Sequence, residues 1–358
     1  MKPTQQLHDL GQSLWLDNIT RTMLDDGTEQ GYIDELSVTG QTSNPTIFDK
    51  AISAGDAYDE QIAELREKGL DGEELFFELA LDDVTRAAKM FRQIYDDTDR
   101  MDGWVSLEVS PLFAFKTDET TKQAADLHGR AEENNFIKIP GTPEGLPSIE
   151  ESIFAGVPIN VTLLMDSEQT IAAAEAYMRG IERRIEADLD PDVPSVLSIF
   201  ISRSDVAVHD DVPDDLKNTL GIAVGNATYR DWRSLFGSDR WKKLADQGAR
   251  LQRLLFASTG TKDPEASDTL YIEAFAAPDT INTMPDKTLK AFADHGKVGD
   301  PMPEDGGDAE EVFKAHREAG IDVDGLGLRL QKEGAQAFVD SWNELLETIK
   351  SESERLAA

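Results

Sequence analysis

Along the chain, apolar and polar positions follow two rhythms. Short apolar or β-rich runs recur eight times, each closing on a polar residue and then a turn or a helix start. They are SLWLDN (13–18), TGQTSNP (39–45), GWVSLEV (103–109), NNFIKIP (134–140), VPINVTLL (157–164), PSVLSIFIS (194–202), RLLFAST (253–259) and PDTINTMP (278–285). Short apolar runs bounded by turn residues are what strands covered on both faces look like. Between them the spacing changes to three and four. VTRAAKMFRQIYDD aligns Val84, Ala87, Ala88, Phe91, Ile94 and Tyr95 on one stripe, and EQTIAAAEAYMRGIERRIEADL aligns Ile171, Ala174, Tyr177, Met178 and Ile181. That is the period of amphipathic helices.

Strand-like runs alternating with helices predict a right-handed parallel βα repeat. Eight such units in 358 residues favour one α/β domain, a closed (β/α)8 TIM barrel spanning 1–358. A doubly wound open sheet is the alternative. Its nucleotide-binding versions lose support because no G-x-G-x-x-G opens a helix after a strand and no G-x-x-x-x-G-K-[ST] occurs. Additional helices are expected at about 46–102 and 203–252, where the strand spacing is longest. A polar loop, DHGKVGDPMPEDGGDAEE, then leads to a C-terminal helical segment at about 326–355.

Composition narrows the function. Seventy Asp and Glu against 35 Lys and Arg leave a formal charge of −35 and a pI near 4.4. Nucleic acids and anionic lipids need clustered positive charge, so neither is expected as a partner. The acids are dispersed (DGEELFFE, ADLDPDVP, HDDVPDD, SESE), which favours a salt-adapted surface over an ordinary acidic one. An anionic substrate would therefore need a local positive site. There is no cysteine, which removes disulfides, thiolate metal sites and thiol nucleophiles. MKPTQQLHDL lacks the apolar core of a signal peptide and no run of 18 apolar residues occurs, so a cytoplasmic protein without a membrane span is expected. The five histidines show no H-x-x-x-H or H-E-x-x-H spacing, and Asp322 and Asp324 of DVDG read as a turn before a helix rather than a calcium loop.

In a barrel, reactive groups sit at the C-terminal ends of strands and in the loops that follow. That rule selects Asp17, Asn44, Glu108, Lys138, Asn160, Thr162, Ser198 and Arg203. Each also has a plainer reading as a cap or strand-end turn, Asp17 and Asn44 above all. Lys138 is the least easily explained, since an ammonium interrupts the run Phe136, Ile137, Ile139. On an edge strand it would deter aggregation, but a closed barrel has no edge. Desolvation inside a barrel lowers a lysine's pKa, and a neutral amine attacks carbonyls to form a Schiff base. Such chemistry needs a carboxylate to move protons, for which Glu108 is placed one strand earlier. Carbon–carbon cleavage needs a base for a hydroxyl, for which Asp17 is available. Asn44, Asn160, Thr162 and Ser198 would bond the hydroxyls of a polyol, and Arg203 would grip a phosphate.

These motifs resemble a known family. SLWLDN, VTGQTSNPTIF, WVSLEVSP, FIKIPGTPEGLPSI, INVTLL, SRSD, ASTGTKDP and PDTINTMP follow, in order from about residue 11 to 296, the pattern of the transaldolases, in their longer bacterial branch. The resemblance implies a class I transferase of the pentose phosphate pathway. Such an enzyme moves a dihydroxyacetone unit from sedoheptulose 7-phosphate to glyceraldehyde 3-phosphate. It implies Lys138 as Schiff-base lysine, Asp17 as the group handling the substrate hydroxyl proton, and Glu108 acting through a water that Thr162 helps to hold. Asn44, Asn160 and Ser198 would contact the dihydroxyacetone part, and Arg203 and Ser258 the phosphate. No metal or organic cofactor is implied, and the assembly would be a monomer or homodimer. One departure concerns the phosphate site: shorter members carry an arginine soon after the Ser258 position, whereas this chain reads Thr259, Gly260, Thr261, Lys262. Lys262 would serve instead, as a point charge without a bidentate fork. A related aldolase that releases free dihydroxyacetone from fructose 6-phosphate shares the lysine and is the rival reading; a catalytically silent barrel is a third.

Overall fold

The structure, a computed structural model, describes residues 1–357. All eight predicted runs are strands: β1 (Ser13–Asp17), β2 (Val38–Thr42), β3 (Val105–Glu108), β4 (Asn135–Pro140), β5 (Ile159–Leu164), β6 (Ser195–Phe200), β7 (Arg253–Ala257) and β8 (Ile281–Met284). Each pairs in parallel with the next, and β8 pairs with β1, so the barrel closes in sequence order. Helices follow the strands around the outside, as parallel crossovers require.

Strand alternation fills the barrel in layers. The middle is aromatic: Trp104 stacks on Phe136 with centroids 4.1 Å apart, and Trp15 tilts against the same ring at 6.3 Å. Such pairs contribute about 0.5–1.5 kcal/mol beyond their burial. The outward faces carry the aliphatic residues, among them Leu14, Leu16, Ile137, Ile139, Val161 and Leu197, all buried under helices. The lower end is closed by a cation. Arg253 donates to Ser13 Oγ at 2.6 Å and to the carbonyls of Thr280 and Met101 at 2.8 and 3.1 Å. Asp102 accepts from Trp15 Nε1 at 2.8 Å and from the Ser13 hydroxyl.

The long spacings hold the expected helices. Pro45–Ser53, Asp59–Glu67 and Gly72–Asp97 fill the first, and the stripe from Val84 to Tyr95 on the last of these is buried except for the half-buried Ile94. Ser202–Val208, Leu220–Phe236 and Asp239–Ala245 fill the second. The C-terminal helix is longer than predicted, Val323–Ala357, because Asp322 Oδ1 accepts from Gly325 N at 3.0 Å and starts it early. Part of the predicted polar loop is also helical. Ala309–Glu318 was hidden by its acidic setting, yet Ala309, Val312 and Phe313 pack on Ala223 and Ala227 of Leu220–Phe236.

The C-terminal helix bears directly on the mouth of the barrel. At Gly327 a Cβ would lie 1.7 Å from Asp166 Oδ2, so only glycine permits the approach to the end of β5. Further along, Trp342 packs edge-on against Phe76 at 5.0 Å, tying the helix to Gly72–Asp97. No helix among the described residues is long and apolar enough to cross a membrane.

Candidate active site

The C-terminal ends of the strands bring all ten predicted residues to one place. In the strand register Glu108 pairs with Lys138, and Lys138 with Asn160, so β3, β4 and β5 set three polar groups side by side. Thr162 is two residues beyond Asn160 on the same face. A cavity of about 280 Å³ opens above this row, lined by Asp17, Asn44, Lys138, Thr162, Ser198, Arg203, Ser258 and Lys262. Glu108 lies beneath it against Lys138, and Asn160 beside it.

Lys138 is 5 % exposed. Its Nζ donates to the Ser43 carbonyl at 3.0 Å and lies 3.2 Å from Glu108 Oε2. That approach is off the axis of a good hydrogen bond, and both carboxylate oxygens of Glu108 are buried with no hydrogen-bond partner among the described residues. Burial raises the Glu108 carboxyl above its ordinary range; the Lys138 charge opposes this and Asp17 adds to it. Thr162 Oγ1 is likewise buried and unpartnered. Buried polar atoms are normally satisfied, so three such atoms near one buried lysine single out a candidate functional centre.

Asp17 is held from the other side. Thr42 Oγ1 donates to Asp17 Oδ1 at 2.8 Å and meets Thr283 Oγ1 at 2.7 Å. A hydroxyl has one proton, so Thr283 must be the donor to Thr42. Burial raises the Asp17 carboxyl, and Lys138, the Thr42 bond and Lys262 each pull it back. Asp17 is not a cap, because Thr20 caps Arg21–Asp26. Asn44 does cap: its side chain accepts from Ile47 N at 3.1 Å while the residue lines the cavity.

A second polar chain fixes the amide of Asn160. Ser198 Oγ donates to Asn160 Oδ1 at 2.6 Å, and Asn160 Nδ2 donates to Ser106 Oγ at 3.1 Å. Opposite stand the cations. Arg203 lies in the first turn of Ser202–Val208 with its guanidinium 5.4 Å above the Phe200 ring. Among the described residues this half-buried side chain makes no ion pair and no hydrogen bond, whereas the two buried arginines, Arg21 and Arg253, donate from every guanidinium nitrogen. Burial pulls Arg203 below its ordinary pKa. Ser258 has a left-handed φ of 54° and its Oγ meets Ser202 Oγ at 2.9 Å. A free planar cation, a hydroxyl pair and Lys262 make a site for an anion in a chain that otherwise repels them.

Sequence reasoning missed several contributors. Thr42 and Thr283 each lie two residues beyond Gly40 and Ile281 and so share their face, a spacing that could have pointed them inward. The Ser43 carbonyl gave no signal, nor did Lys50, which lines the cavity from the helix after β2, or Phe338, which reaches it from the C-terminal helix. A larger groove of about 800 Å³ runs between Asp59–Glu67 and the end of the C-terminal helix. It carries none of the predicted residues, and its two cations are paired, Arg66 with Asp71 at 3.3 Å and Lys350 with Glu347 at 3.7 Å.

The chain has clear relatives. Residues 14–349 match the family described as Transaldolase/Fructose-6-phosphate aldolase. A transaldolase of Frankia alni is 42 % identical over 357 residues, covering 97 % of this chain and 96 % of that protein. Transaldolase 2 of Streptomyces coelicolor is 40 % identical over 99 % of this chain and 98 % of its own. A transaldolase of Mycolicibacterium paratuberculosis is 40 % identical over 96 % and 95 %.

Proposed function

Because the chain belongs to the transaldolase and fructose-6-phosphate aldolase family, we propose that it is a transaldolase whose Schiff-base lysine is Lys138. The donor is sedoheptulose 7-phosphate and the acceptor glyceraldehyde 3-phosphate; the products are erythrose 4-phosphate and fructose 6-phosphate. The observation that carries this reading is the setting of the Lys138 amine: buried, 3.0 Å from one carbonyl and 3.2 Å from one carboxylate, at the base of a cavity lined with hydroxyls, amides and unpaired cations.

A neutral amine has two protons and one lone pair. With one proton on the Ser43 carbonyl and the other toward Glu108, the lone pair is left for the cavity. It attacks the ketose C2 carbonyl, giving a carbinolamine. Loss of its hydroxyl as water leaves an iminium on Lys138, and Glu108, its carboxyl raised by burial, supplies the proton through a water held with Thr162. Asp17 then takes the proton of the C4 hydroxyl, the C3–C4 bond breaks, and the aldose leaves. The bonding pair stays with the lysine adduct as an enamine, which adds to the acceptor aldehyde by the reverse steps. Asn44, Asn160 and Ser198 hold the dihydroxyacetone hydroxyls, and Arg203, Ser258 and Lys262 hold the terminal phosphate.

The test is reduction by borohydride in the presence of fructose 6-phosphate, followed by peptide mass analysis. A dihydroxyacetone increment on Lys138 is expected, and an unmodified Lys138 peptide would sink the assignment. Transfer to erythrose 4-phosphate should exceed release of free dihydroxyacetone; the opposite ratio would make the protein an aldolase.

A further inference from the structure

Gln331 lies on the C-terminal helix, 2 % exposed, with its amide turned to the ends of two strands. Its Nε2 is 2.9 Å from the Gly141 carbonyl and 2.9 Å from the Leu163 carbonyl. A third acceptor, Gln169 Oε1, is farther, at 3.2 Å, and is already bonded to Met165 N. A carboxamide nitrogen has two protons, and the two shorter contacts use both. Gly141 directly follows β4, which carries Lys138; Leu163 directly follows Thr162 in β5.

The backbone that Gln331 grips is not relaxed. Leu163 has a left-handed φ of 59°, unfavourable for a residue with a Cβ, and the β5–β6 register slips between Val161 and Leu164. Gly141 N donates to the Thr162 carbonyl at 2.7 Å. One side chain therefore ties together the two strand ends on either side of Thr162, whose hydroxyl is buried, unpartnered and part of the cavity wall. The approach is close by construction: at Gly334 a Cβ would fall 3.1 Å from Leu163 Cδ2 and 3.4 Å from Arg203 Nη1.

We propose that Gln331 is a positioning residue for catalysis: its amide clamps the ends of β4 and β5 and so aims the Thr162 hydroxyl at the Lys138–Glu108 pair. The inference rests on Lys138 being the Schiff-base lysine. It assigns the C-terminal helix a part in the proton-transfer steps, beyond covering the mouth. Because Gln331 acts through Thr162, its loss should matter only while Thr162 is present.

The test compares wild type, Gln331→Met, Thr162→Val and the double variant by kcat, KM, single-turnover trapping at Lys138 and melting temperature. Gln336→Ala, on the exposed side of the same helix, serves as the control and should behave as wild type. Gln331→Met is expected to lower kcat and the trapping rate roughly 10- to 100-fold, with KM within about threefold. The double variant should be no slower than Thr162→Val alone. A wild-type kcat in Gln331→Met overturns the proposal, as do losses that multiply in the double variant. If Gln331→Met does not fold, Gln331→Glu takes its place. A buried glutamic acid can donate only when protonated, so its kcat relative to wild type should rise toward acid pH; a flat ratio overturns the clamp. Wild type that traps normally beside an unimpaired Gln331→Met defeats this inference alone, whereas wild type that does not trap at Lys138 defeats both.

Discussion

Two cations are buried inside the barrel, one at each end, and each is 5 % exposed. At the lower end, Arg253 spends its guanidinium protons on Ser13 Oγ and on the carbonyls of Thr280, Met101 and Asp279. At the mouth, Lys138 has one carbonyl and one poorly aligned carboxylate, and around it the Glu108 oxygens and the Thr162 hydroxyl have no partner. Burial is the same; satisfaction differs. A buried cation whose donors all end on oxygen is a structural plug, because its desolvation is offset by bonds that persist. A buried cation left with an open side, among acids raised by burial, is the setting that the proposed Schiff-base role requires. On that reading the barrel separates the two tasks along its axis, with stability below and chemistry above.

Substitution should separate them too. Lys138→Ala removes the nucleophile, so transferase turnover is expected to fall by roughly a thousandfold or more. The fold should survive with a melting temperature equal to or above wild type, since Glu108 can take a proton once its counter-charge is gone. Enzyme assay and thermal unfolding on one sample decide it. Retained activity would sink the Schiff-base role, and a large loss of stability would mean that the mouth is structural as well. Arg253→Met should do the reverse. Breaking this plug leaves the Ser13 hydroxyl and three carbonyls with fewer donors and Asp102 without its nearby counter-charge, at a cost of about 3–5 kcal/mol in denaturant unfolding. Turnover of the folded fraction should stay within about twofold of wild type. An unchanged unfolding midpoint would show that the lower end needs no cation.

How far the sequence revealed these two ends depends on the kind of pattern involved. Most strands were legible because covered parallel strands are short apolar runs; β1 and β3 to β8 fall within the predicted runs, while the polar β2 begins one residue before its own, at Val38. Lys138 stood out because a charge inside such a run is anomalous, whereas Glu108 and Asp17 were selected only as polar residues at the C-terminal ends of strands, where a barrel places its mouth. Arg253 opens RLLFAST just as anomalously, but a charge at the first position of a run reads as a strand boundary and drew no attention. Gln331 and Phe338 were illegible for another reason. Helical periodicity reveals which face of a helix is apolar but not where the helix docks, and their roles depend on the C-terminal helix crossing the mouth. The left-handed turn at Leu163 has no sequence signal either, since leucine is not a residue that announces positive φ.

Glu29 supplies an intermediate case that sharpens the contrast by a smaller effect. It is 0 % exposed in the helix Thr28–Leu36, with one carboxyl oxygen accepting from Gln41 Nε2 at 3.2 Å and the other unpartnered. Gln41 also donates to the Asn18 carbonyl at 2.7 Å, next to Asp17. Glu29 is thus half satisfied and outside the cavity. Burial, reinforced by the nearby Asp286 charge, pushes its carboxyl up from 4.5 to about 8. The folded protein therefore holds a proton that the unfolded chain releases across this window. The stability this confers is full below the unfolded value and is lost as pH rises through the folded one. Glu29→Gln, which keeps the shape and cannot ionise, should melt roughly 3–5 °C above wild type near pH 8.5. The gap should narrow steadily toward pH 5.5, while turnover remains close to wild type because Glu29 touches no cavity residue. Melting curves at four pH values read this directly. A constant gap would show that the Glu29 carboxyl ionises in the fold as easily as in water, and incomplete satisfaction would then mark a strained proton site only when a charged partner such as Lys138 stands beside it.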